Sequence, residues 1–252
     1  MKHSSFVSRK LKPFIGLALI LVIWQVWAGL LYPNSIVLPA PTSIVEYAFN
    51  NPATIAIEGW STLKVVLIGF AIALAISIIT AVVFAIVPLL REMFLPLFVV
   101  TQVTPTIAVA PLLVIALGFG SPPKIAVVVL ISTFPMLVST LTGIDEVSKD
   151  LMDITRVSGA NRWRAMRYVL LPNAAAYFFS GARVAITLAV IGAVVGEFVA
   201  TDSGLGYLIL QGSSRIQPEV MWAGVLSLAI LGLALFNAVK FIEWVAMPWK
   251  RS

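Results

Sequence analysis

Residues 145–172 read DEVSKDLMDITRVSGANRWRAMRYVLLP, and this charged stretch interrupts a chain that is otherwise strongly apolar. Its acidic residues come first and its basic residues later, an order that complements the dipole of a helix. Gly159 stands where a glycine commonly ends a helix, and Asn161 is a residue type that starts one. The stretch therefore predicts a short helix, a glycine corner and a second helix that leads through Pro172 into the next apolar segment.

The composition places the rest of the chain in a membrane. Of the 252 residues, 60% are hydrophobic and 11% are charged, whereas soluble domains carry about 25% charged residues. There are no cysteines, which excludes disulfides and thiolate metal sites. The lone histidine, His3, lies in the N-terminal tail, and a metal site needs several ligands. We therefore expect no metal and no catalytic residues in this chain.

Six apolar segments are candidates for transmembrane helices, because about 20 apolar residues cross the hydrocarbon core. Prolines interrupt the third of these segments, and a cleaved signal peptide is the alternative for the first. The predicted spans are Pro13–Leu31, Leu63–Pro88, Phe94–Leu117, Ile125–Ile144, Ala174–Val199 and Trp222–Met247. The chain is thus predicted to be an all-α membrane domain, 1–252, with a six-helix region at 13–247, the loop at 145–172, and tails at 1–12 and 248–252.

The lysines and arginines predict the orientation, because cytoplasmic loops are enriched in both. With both termini inside the cell, twelve of the 17 basic residues are cytoplasmic, three lie outside and two lie near span ends. The three outer ones are Lys64, Lys124 and Arg215. We expect the charged loop on the cytoplasmic side. Basic residues that flank spans in this way also argue against nucleic-acid binding.

Three parts of the loop resemble a known motif. The segment 153–155 (DIT), Gly159 and the segment 169–172 (VLLP) resemble the coupling loop of binding-protein-dependent ABC importer permeases. The family pattern is Glu-Ala-Ala, three residues, Gly, nine residues and Ile-x-Leu-Pro. The spacing matches, while the opening triplet departs from the pattern at all three positions.

This resemblance implies a type I importer permease fold and a bacterial plasma-membrane location. It implies two ATP-binding subunits, each holding one loop, and a soluble binding protein that delivers substrate. The residues that it assigns to contact with the ATP-binding subunit are Asp153, Ile154, Thr155, Arg156, Ser158, Gly159, Ala160, Leu171 and Pro172. Six spans make a thin wall for a path, so we also expect a second copy of the chain.

Two shorter segments resemble one branch of that family. Residues 37–41 (VLPAP) resemble the Leu-Pro-x-Pro segment of permeases for nitrate, sulfonates, taurine and thiamine precursors. Residues 196–198 (GEF) and 204–207 (GLGY) also resemble that branch. The resemblance implies a small organic anion, nitrate, or a pyrimidine or other vitamin-related compound as the substrate.

Polar side chains within the spans are candidates for lining a translocation path, because such groups are costly in lipid. Interhelical hydrogen bonding is the alternative role. Glu197, near the outer end of the fifth span, could gate, contact the binding protein or be a simple interfacial carboxylate. The candidates are Thr101, Gln102, Thr104, Thr106, Thr133 and Glu197.

Small residues form a stripe along the fifth span, and this stripe predicts close contact with another helix. A dimer interface and a substrate path are both compatible with it. The stripe consists of Ala182, Ala185, Ala189, Ala193 and Gly196.

The sequence holds no GxxxxGK[ST] phosphate loop, so ATP and magnesium are expected on a partner chain and no cofactor is expected on this one. The predicted function is that of the permease subunit of an ATP-driven importer working by alternating access. The alternative is a self-sufficient secondary transporter or channel, which needs coupling groups inside its spans.

Overall fold

The computed structural model describes residues 4–31, 35, 37–199 and 203–248, with their side chains from residue 15 onward except those of Arg156 and Arg162. This described part is helical between short turns and contains no strand. Wide π-helical turns extend α1 through Trp27–Leu31 and join α8 to α9 through Met166–Leu170. The helices are α1 Ser4–Val26, α2 Pro41–Asn50, α3 Pro52–Ile86, α4 Pro88–Val103, α5 Thr106–Leu117, α6 Ser121–Asp145, α7 Lys149–Val157, α8 Arg162–Ala165, α9 Leu171–Val199, α10 Leu205–Ser214 and α11 Pro218–Ala246.

Prolines set the starts of several helices. Helices α2, α3, α4 and α11 begin at Pro41, Pro52, Pro88 and Pro218. Proline suits this position because the first N–H groups of a helix have no partner within it, and because its fixed backbone angle is already helical. A long apolar chain is in this way divided into separate helices, and each proline removes one N–H group that would have no partner within its helix.

Four helices are long and apolar enough to cross a membrane. They are α3 with 35 residues, α6 with 25, the continuous stretch Trp163–Val199 with 37, and α11 with 29. At 1.5 Å per residue, each exceeds the hydrocarbon thickness of about 30 Å. The second, fourth, fifth and sixth predicted spans are therefore confirmed as helices of spanning length, although α3 begins at Pro52 rather than Leu63 and the continuous stretch begins at Trp163 rather than Ala174.

The first and third predicted spans differ from simple crossings. The apolar part of α1, Ile15–Leu31, is shorter than the four long helices. The third, predicted over Phe94–Leu117, is instead two helices, α4 and α5, that meet at 101°. The break falls at Thr104 and Pro105, whose extended backbones end one helix and precede the next. Proline is the physical reason, since it donates no hydrogen bond to the preceding turn.

The helices bring distant parts of the chain together at two ends of the bundle. At the loop end, which carries residues 145–172, the start of α4 meets the end of α6 through Arg91 and Asp145. At the opposite end, here called the distal end, the start of α3 meets the end of α9 through Thr62 and Glu197. The short helix α10 also packs at the distal end, against α3, α9 and α11.

Helices α6 and α9 form the closest-packed pair of the fold. A Cβ atom on Gly181 of α9 would lie 2.8 Å from the backbone oxygen of Pro135, and one on Gly196 would lie 2.8 Å from the Cα atom of Lys124. The stripe of alanines on α9 is buried, together with residues of α3 and α6 such as Val66 and Met136. The predicted close helix contact is thus formed within one chain. This face of α9 is therefore neither the surface of a dimer nor the wall of a path.

We predict that Gly181→Ala destabilises the protein, whereas Gly59→Ala in α3 does not. A methyl group at position 181 would overlap the backbone of α6, and overpacking of this kind costs about 1–3 kcal/mol. A methyl group at position 59 meets no atom within 4 Å, so the higher helix propensity of alanine stabilises by about 0.5–1 kcal/mol. Thermal melting of the purified protein in detergent measures both, and equal midpoints for the two variants would contradict the packing described.

Candidate functional site

The charged loop folds as two helices around a glycine corner, as the sequence predicts. Helix α7 ends with a hydrogen bond from the N–H of Ala160 to the oxygen of Thr155, 3.2 Å long. Between them Gly159 has φ +73°, the left-handed conformation that closes such a cap. Asn161 then caps α8, since its side-chain oxygen accepts from the N–H of Arg164 at 2.8 Å. Both caps are local, and this is why the loop could be predicted from sequence.

The start of α7 has a cap that the sequence analysis did not identify. Leu151 N–H donates to the hydroxyl of Ser148 over 3.4 Å, and Met152 N–H donates to the Ser148 carbonyl over 3.2 Å. Serine is a preferred residue at this position. A serine directly before the Lys149-Asp150 start of the charged helix was the signal available in the sequence.

One face of α7 carries apolar side chains that the chain itself does not cover. Leu151, Ile154 and Val157 are exposed to 43%, 63% and 90%. They repeat at intervals of three residues and so lie along one side of the helix. They form an exposed apolar row on an otherwise charged loop.

The remaining residues assigned to the loop occupy the same projection or its base. Arg156 lies in α7, and its side chain is outside the described residues. The hydroxyls of Thr155 and Ser158 donate to the carbonyls of Leu151 and Ile154 within the helix. The exposed ones are Asp153, Ser158, Gly159 and Pro172, and the half-buried ones are Thr155, Ala160 and Leu171.

Two contacts at the base of the loop join α6, which precedes the loop, to α9, which follows it. The side-chain amide of Asn173, at the start of α9, donates to the carbonyl of Gly143 over 2.9 Å. A Cβ on Gly143 would lie 2.8 Å from the Cα atom of Ala174, so the two backbones touch here. The loop is therefore mounted on α6 and α9 together.

A salt bridge links this base to α4. Arg91 donates two hydrogen bonds to Asp145, from Nη1 to Oδ1 at 2.8 Å and from Nη2 to Oδ2 at 2.7 Å. The paired geometry fixes the guanidinium plane relative to the carboxylate. Asp145 is the last residue of α6, so the bond joins the root of the loop to the broken helix pair α4–α5.

Three of the predicted path residues meet at the corner between α4 and α5. Thr101, Thr104 and Thr106 line an open cleft of about 150 Å³ with Val109 and Leu130. The hydroxyls of Thr101 and Thr104 donate hydrogen bonds to backbone carbonyls of their own helix. Their oxygens remain as acceptors toward the cleft.

The other three path candidates lie elsewhere. Gln102 is exposed on α4 and does not line the cleft. Thr133 is buried in α6 and donates to the carbonyl of Val129, while its own carbonyl accepts from Ser77. Glu197 is wholly buried at the distal end. The structure therefore does not bring the predicted set together as one surface.

Glu197 joins three helices through hydrogen bonds. Its Oε1 accepts from the Thr62 hydroxyl of α3 at 2.7 Å, and its Oε2 accepts from the N–H of Gly206, at the start of α10, at 2.7 Å. The Thr62 oxygen accepts in turn from the N–H of Leu205 at 2.8 Å. A hydroxyl has one hydrogen, so Thr62 donates to Glu197 and accepts from Leu205. The first N–H groups of α10, which have no helical partners, are satisfied in this way.

Further polar contacts extend this group of residues, which we call the distal lock. Glu58 of α3 accepts from the N–H of Gly204. Lys124 of α6 is 1% exposed and donates to the carbonyl of Ser203 at 3.1 Å. The hydroxyl of Ser61 forms a hydrogen bond with the hydroxyl of Ser203 at 3.0 Å. The distal lock consists of Glu58, Ser61, Thr62, Lys124, Glu197 and residues 203–206. It joins α3, α6, α9 and α10. These contacts give no support to the predicted role of Glu197 in a translocation path.

The proline segment before α2 is also held by polar contacts. The indole N–H of Trp24 donates to the carbonyl of Pro39 at 3.0 Å, and that of Trp222 donates to the carbonyl of Val37 at 2.9 Å. The two indole rings pack at 5.2 Å between centroids. Gln25 of α1 adds two hydrogen bonds to Thr42. The segment 37–41 is thus fixed between α1 and α11.

The long apolar helices, the charged loop at one end and the distal lock at the other are the features of a multi-pass membrane protein. Residues 73–243 match the family described as the binding-protein-dependent transport system inner membrane component, and the chain belongs to this family. The match includes α7, Gly159 and Glu197.

Individual relatives agree with the family. The chain is 31% identical to a probable ABC transporter permease protein of Haemophilus influenzae, over 93% of this chain and 96% of the relative. It is 28% identical to the formylaminopyrimidine transport permease protein ThiX of Halalkalibacterium halodurans, over 96% and 97%. It is also 28% identical to the putative aliphatic sulfonates transport permease protein SsuC of Bacillus subtilis, over 93% and 86%.

A solved structure shows the same fold. A chain of the MetNI methionine ABC transporter in an inward-facing conformation superposes with a TM-score of 0.59 at 18% identity, covering 72% of this chain and 94% of that one. The fold is therefore that of a type I ABC importer permease. The chain is a permease subunit of the inner membrane, of a kind whose ATPase is a separate subunit.

We predict that Glu197→Gln weakens the distal lock. A glutamine has one acceptor oxygen where the carboxylate has two, so either the Thr62 hydroxyl or the Gly206 N–H loses its partner. An unsatisfied buried donor costs about 1–3 kcal/mol, so the thermal midpoint in detergent should fall. The control is Glu46→Gln, an exposed carboxylate at the same end, which should melt like the wild type. A Glu197→Gln midpoint within error of the wild type would contradict the buried network.

Proposed function

We propose that two copies of this chain form the membrane path of an importer for a small solute. Two ATP-binding subunits each hold one loop 145–172, and a soluble binding protein delivers the solute at the distal end. ATP and magnesium are used by those subunits, and this chain binds no cofactor. The whole chain, 1–252, is one permease domain with six spans and both termini in the cytoplasm.

The observation that carries this proposal is the exposed apolar row of α7 next to the Gly159 corner. Leu151, Ile154 and Val157 lie on a charged projection that water surrounds, so they gain by entering a groove on another protein. Asp153, Thr155 and Ser158 lie in the same α7–corner segment, and Leu171 and Pro172 lie at the base. The loop end also carries most of the lysines and arginines, which supports a cytoplasmic location.

The path is proposed to pass the corner between α4 and α5. Thr101, Thr104 and Thr106 face an open cleft there, and polar groups at membrane depth require protein or water beside them. A second copy of the chain would supply the opposite wall, and Gln102 lies close along α4. Thr133 and Glu197 gain no support as path residues from their buried hydrogen bonds.

For the substrate we propose a small organic anion such as a sulfonate, or nitrate, with a pyrimidine or other vitamin-related compound as the second candidate. The formylaminopyrimidine and sulfonate permeases are each 28% identical to this chain. The N–H groups of a pyrimidine can donate to the hydroxyl oxygens at the cleft as they stand, whereas an anion needs Thr101 and Thr104 to turn their hydroxyl hydrogens away from the backbone carbonyls and toward it. Uptake of labelled taurine against a labelled aminopyrimidine, measured with the binding protein present, distinguishes the two.

The rival function, a self-sufficient transporter or channel, leaves the apolar row of α7 without a role. It is tested by the same reconstitution. The purified chain in liposomes, without partner subunits or ATP, should not take up solute in an ion gradient. Such uptake would refute the importer proposal.

We predict that Gly159→Arg abolishes ATP-driven uptake while the protein still inserts. A residue with a Cβ costs about 1–2 kcal/mol in the left-handed conformation of this corner. An added Cβ at this position has no atom of the chain within 4 Å, so a long side chain there would meet the docked subunit. We expect at least a tenfold fall in uptake at equal expression, with loss of the ATP-binding subunit in a mild-detergent pull-down.

The matched control is Gly159→Asn, because asparagine tolerates the left-handed conformation and is short. It should keep most of the uptake and the pull-down partner. Wild-type uptake by Gly159→Arg would refute the coupling role of the corner.

The salt bridge at the root of the loop supports a route for the motion. Asp145 ends α6 beneath the loop, and Arg91 lies on α4, whose far end carries the threonine cleft. An exposed ion pair stabilises a fold by about 0–1 kcal/mol, so its contribution to stability is small. We propose that it transmits movement of the loop to α4.

We predict that Arg91→Asp and Asp145→Arg each lower the solute transported per ATP hydrolysed, and that the two together restore it. Each single change opposes like charges at a contact of 2.7 Å, and the exchanged pair recreates an attractive one. ATPase rate and uptake are measured in the same liposomes. Glu92→Gln, on the next residue of α4, is the control and should leave the ratio unchanged. A double variant no better than the singles would contradict the link.

A further inference from the structure

The turn between α10 and α11 contains a strained residue. Gln217 N–H donates to the carbonyl of Gly212 at 2.8 Å, and Ile216 N–H donates to that of Ser213 at 3.2 Å, which closes the end of α10. At the position that glycine usually takes in such a cap, Ile216 has φ +55°. Among the described residues it is the one non-glycine with a positive φ.

Burial does not offset this strain. A β-branched residue is the type least suited to the left-handed conformation. Yet Ile216 is 67% exposed, and residues 213–217 are all exposed. The fold alone would favour glycine or asparagine here. A strained, exposed apolar side chain instead indicates a role in contact with another molecule.

A polar cleft of about 460 Å³ lies beside this turn, between α2 and the α10–α11 corner. Charges of both signs line it, from Glu46, Arg215 and Glu219. Tyr47 and the amide side chain of Gln217 also contribute. This lining is unsuited to lipid tails, whereas a polar rim around an apolar anchor is the usual make-up of a protein–protein interface.

Both walls of the cleft are held in place. Helix α10 is fixed at its start by the distal lock, through the N–H groups of Gly204, Leu205 and Gly206. Helix α2 is fixed by the contacts of Gln25 with Thr42 and by the indole hydrogen bonds to the segment before it. A surface already held in one shape loses little entropy on binding.

We infer that Ile216, Arg215 and the adjoining cleft form the docking surface for the soluble binding protein. This rests on the proposed function, which places the distal end outside the cell. The family to which the chain belongs depends on a binding protein, and a water-soluble partner must approach from that end. Its matching surface has an apolar hollow for Ile216, an acidic group for Arg215, and basic or amide groups facing Glu46 and Glu219.

A second copy of this chain is a less suitable occupant. The broad apolar surfaces that a membrane dimer needs lie along α4 and α5, where Val103, Leu112 and Ile115 are exposed to 76%, 64% and 82%. The α10–α11 turn lies instead at the end of the spans, with charged side chains around it.

Ile216→Asn tests the inference because its two expected effects have opposite signs. Asparagine relieves the backbone strain, so the thermal midpoint of the complex should rise. It also removes the apolar side chain that anchors the partner. The concentration of binding protein that gives half-maximal ATPase stimulation should therefore rise about tenfold, the change in affinity expected when one interface side chain of moderate importance is lost. The assay uses the whole importer in liposomes with its own binding protein, and basal ATPase should be unchanged.

The matched control is Ile57→Asn, the same substitution at an isoleucine of the distal end that is 65% exposed and lies outside the cleft. It should neither stabilise the protein nor change the concentration of binding protein that half-saturates ATPase stimulation. Arg215→Glu should shift half-saturation in the same direction as Ile216→Asn.

The outcomes separate the inference from the proposed function. If the binding protein fails to stimulate even the wild-type importer, the proposed function is wrong. If the wild type responds and Ile216→Asn raises the midpoint without moving half-saturation, the docking surface is wrong. A photocrosslinking residue at position 216 gives a second measurement. A crosslink to the binding protein supports the inference, and one to lipid or to a second copy of the chain overturns it.

Discussion

The architecture depends on one constraint, that hydrocarbon cannot hydrogen-bond to a backbone amide. The described segments that are apolar enough to lie in a membrane are accordingly helical, and at several helix starts prolines or side-chain oxygens reduce the number of unpaired donors. Prolines begin α3, α4 and α11, where a donor would have no helical partner. The chain turns by 101° at Thr104 and Pro105. Pro105, which directly precedes α5, has no N–H group that could be left without a partner. The same constraint explains why the first N–H groups of α10 are covered by carboxylates and a hydroxyl.

Given helices, the α6–α9 pair organises everything else. Small residues let the two backbones approach so closely that a methyl group at Gly181 or Gly196 would overlap the other helix. The loop emerges from one end of this pair, with its base closed between Gly143 and Asn173. The distal lock occupies the other end, around Glu197 and Lys124. Both sites are therefore fixed relative to each other by van der Waals packing through the membrane.

What could be predicted from the sequence follows from how local each interaction is. The loop was predicted correctly because its caps, at Gly159 and Asn161, involve residues only a few positions apart. Four spans were predicted because length and hydropathy alone decide them. The stripe on α9 was recognised as a contact face, but its partner could not be chosen, since small residues suit a helix of the same chain and one of another chain equally.

The distal lock was missed for the opposite reason. Glu197 and Thr62 are 135 residues apart, and Lys124 and Ser203 are 79 apart. A single sequence gives no sign that such side chains meet. Glu197 and Thr133 were therefore grouped with Thr101 only because all three are polar groups in apolar segments. The fold separates buried side chains that satisfy their hydrogen bonds internally from those that line an open cleft.

This separation also indicates where the molecule can move. Helices α3, α6 and α9 share a buried core, and the distal lock joins α10 to them, so these four helices are expected to move as one body. Helix α4 has no buried residue and α5 has one, Ala110, so the broken pair has few contacts to lose. Local stability is lowest where buried contacts are fewest. Within a single chain, the α4–α5 corner with its threonines can therefore change shape at little cost in buried contacts.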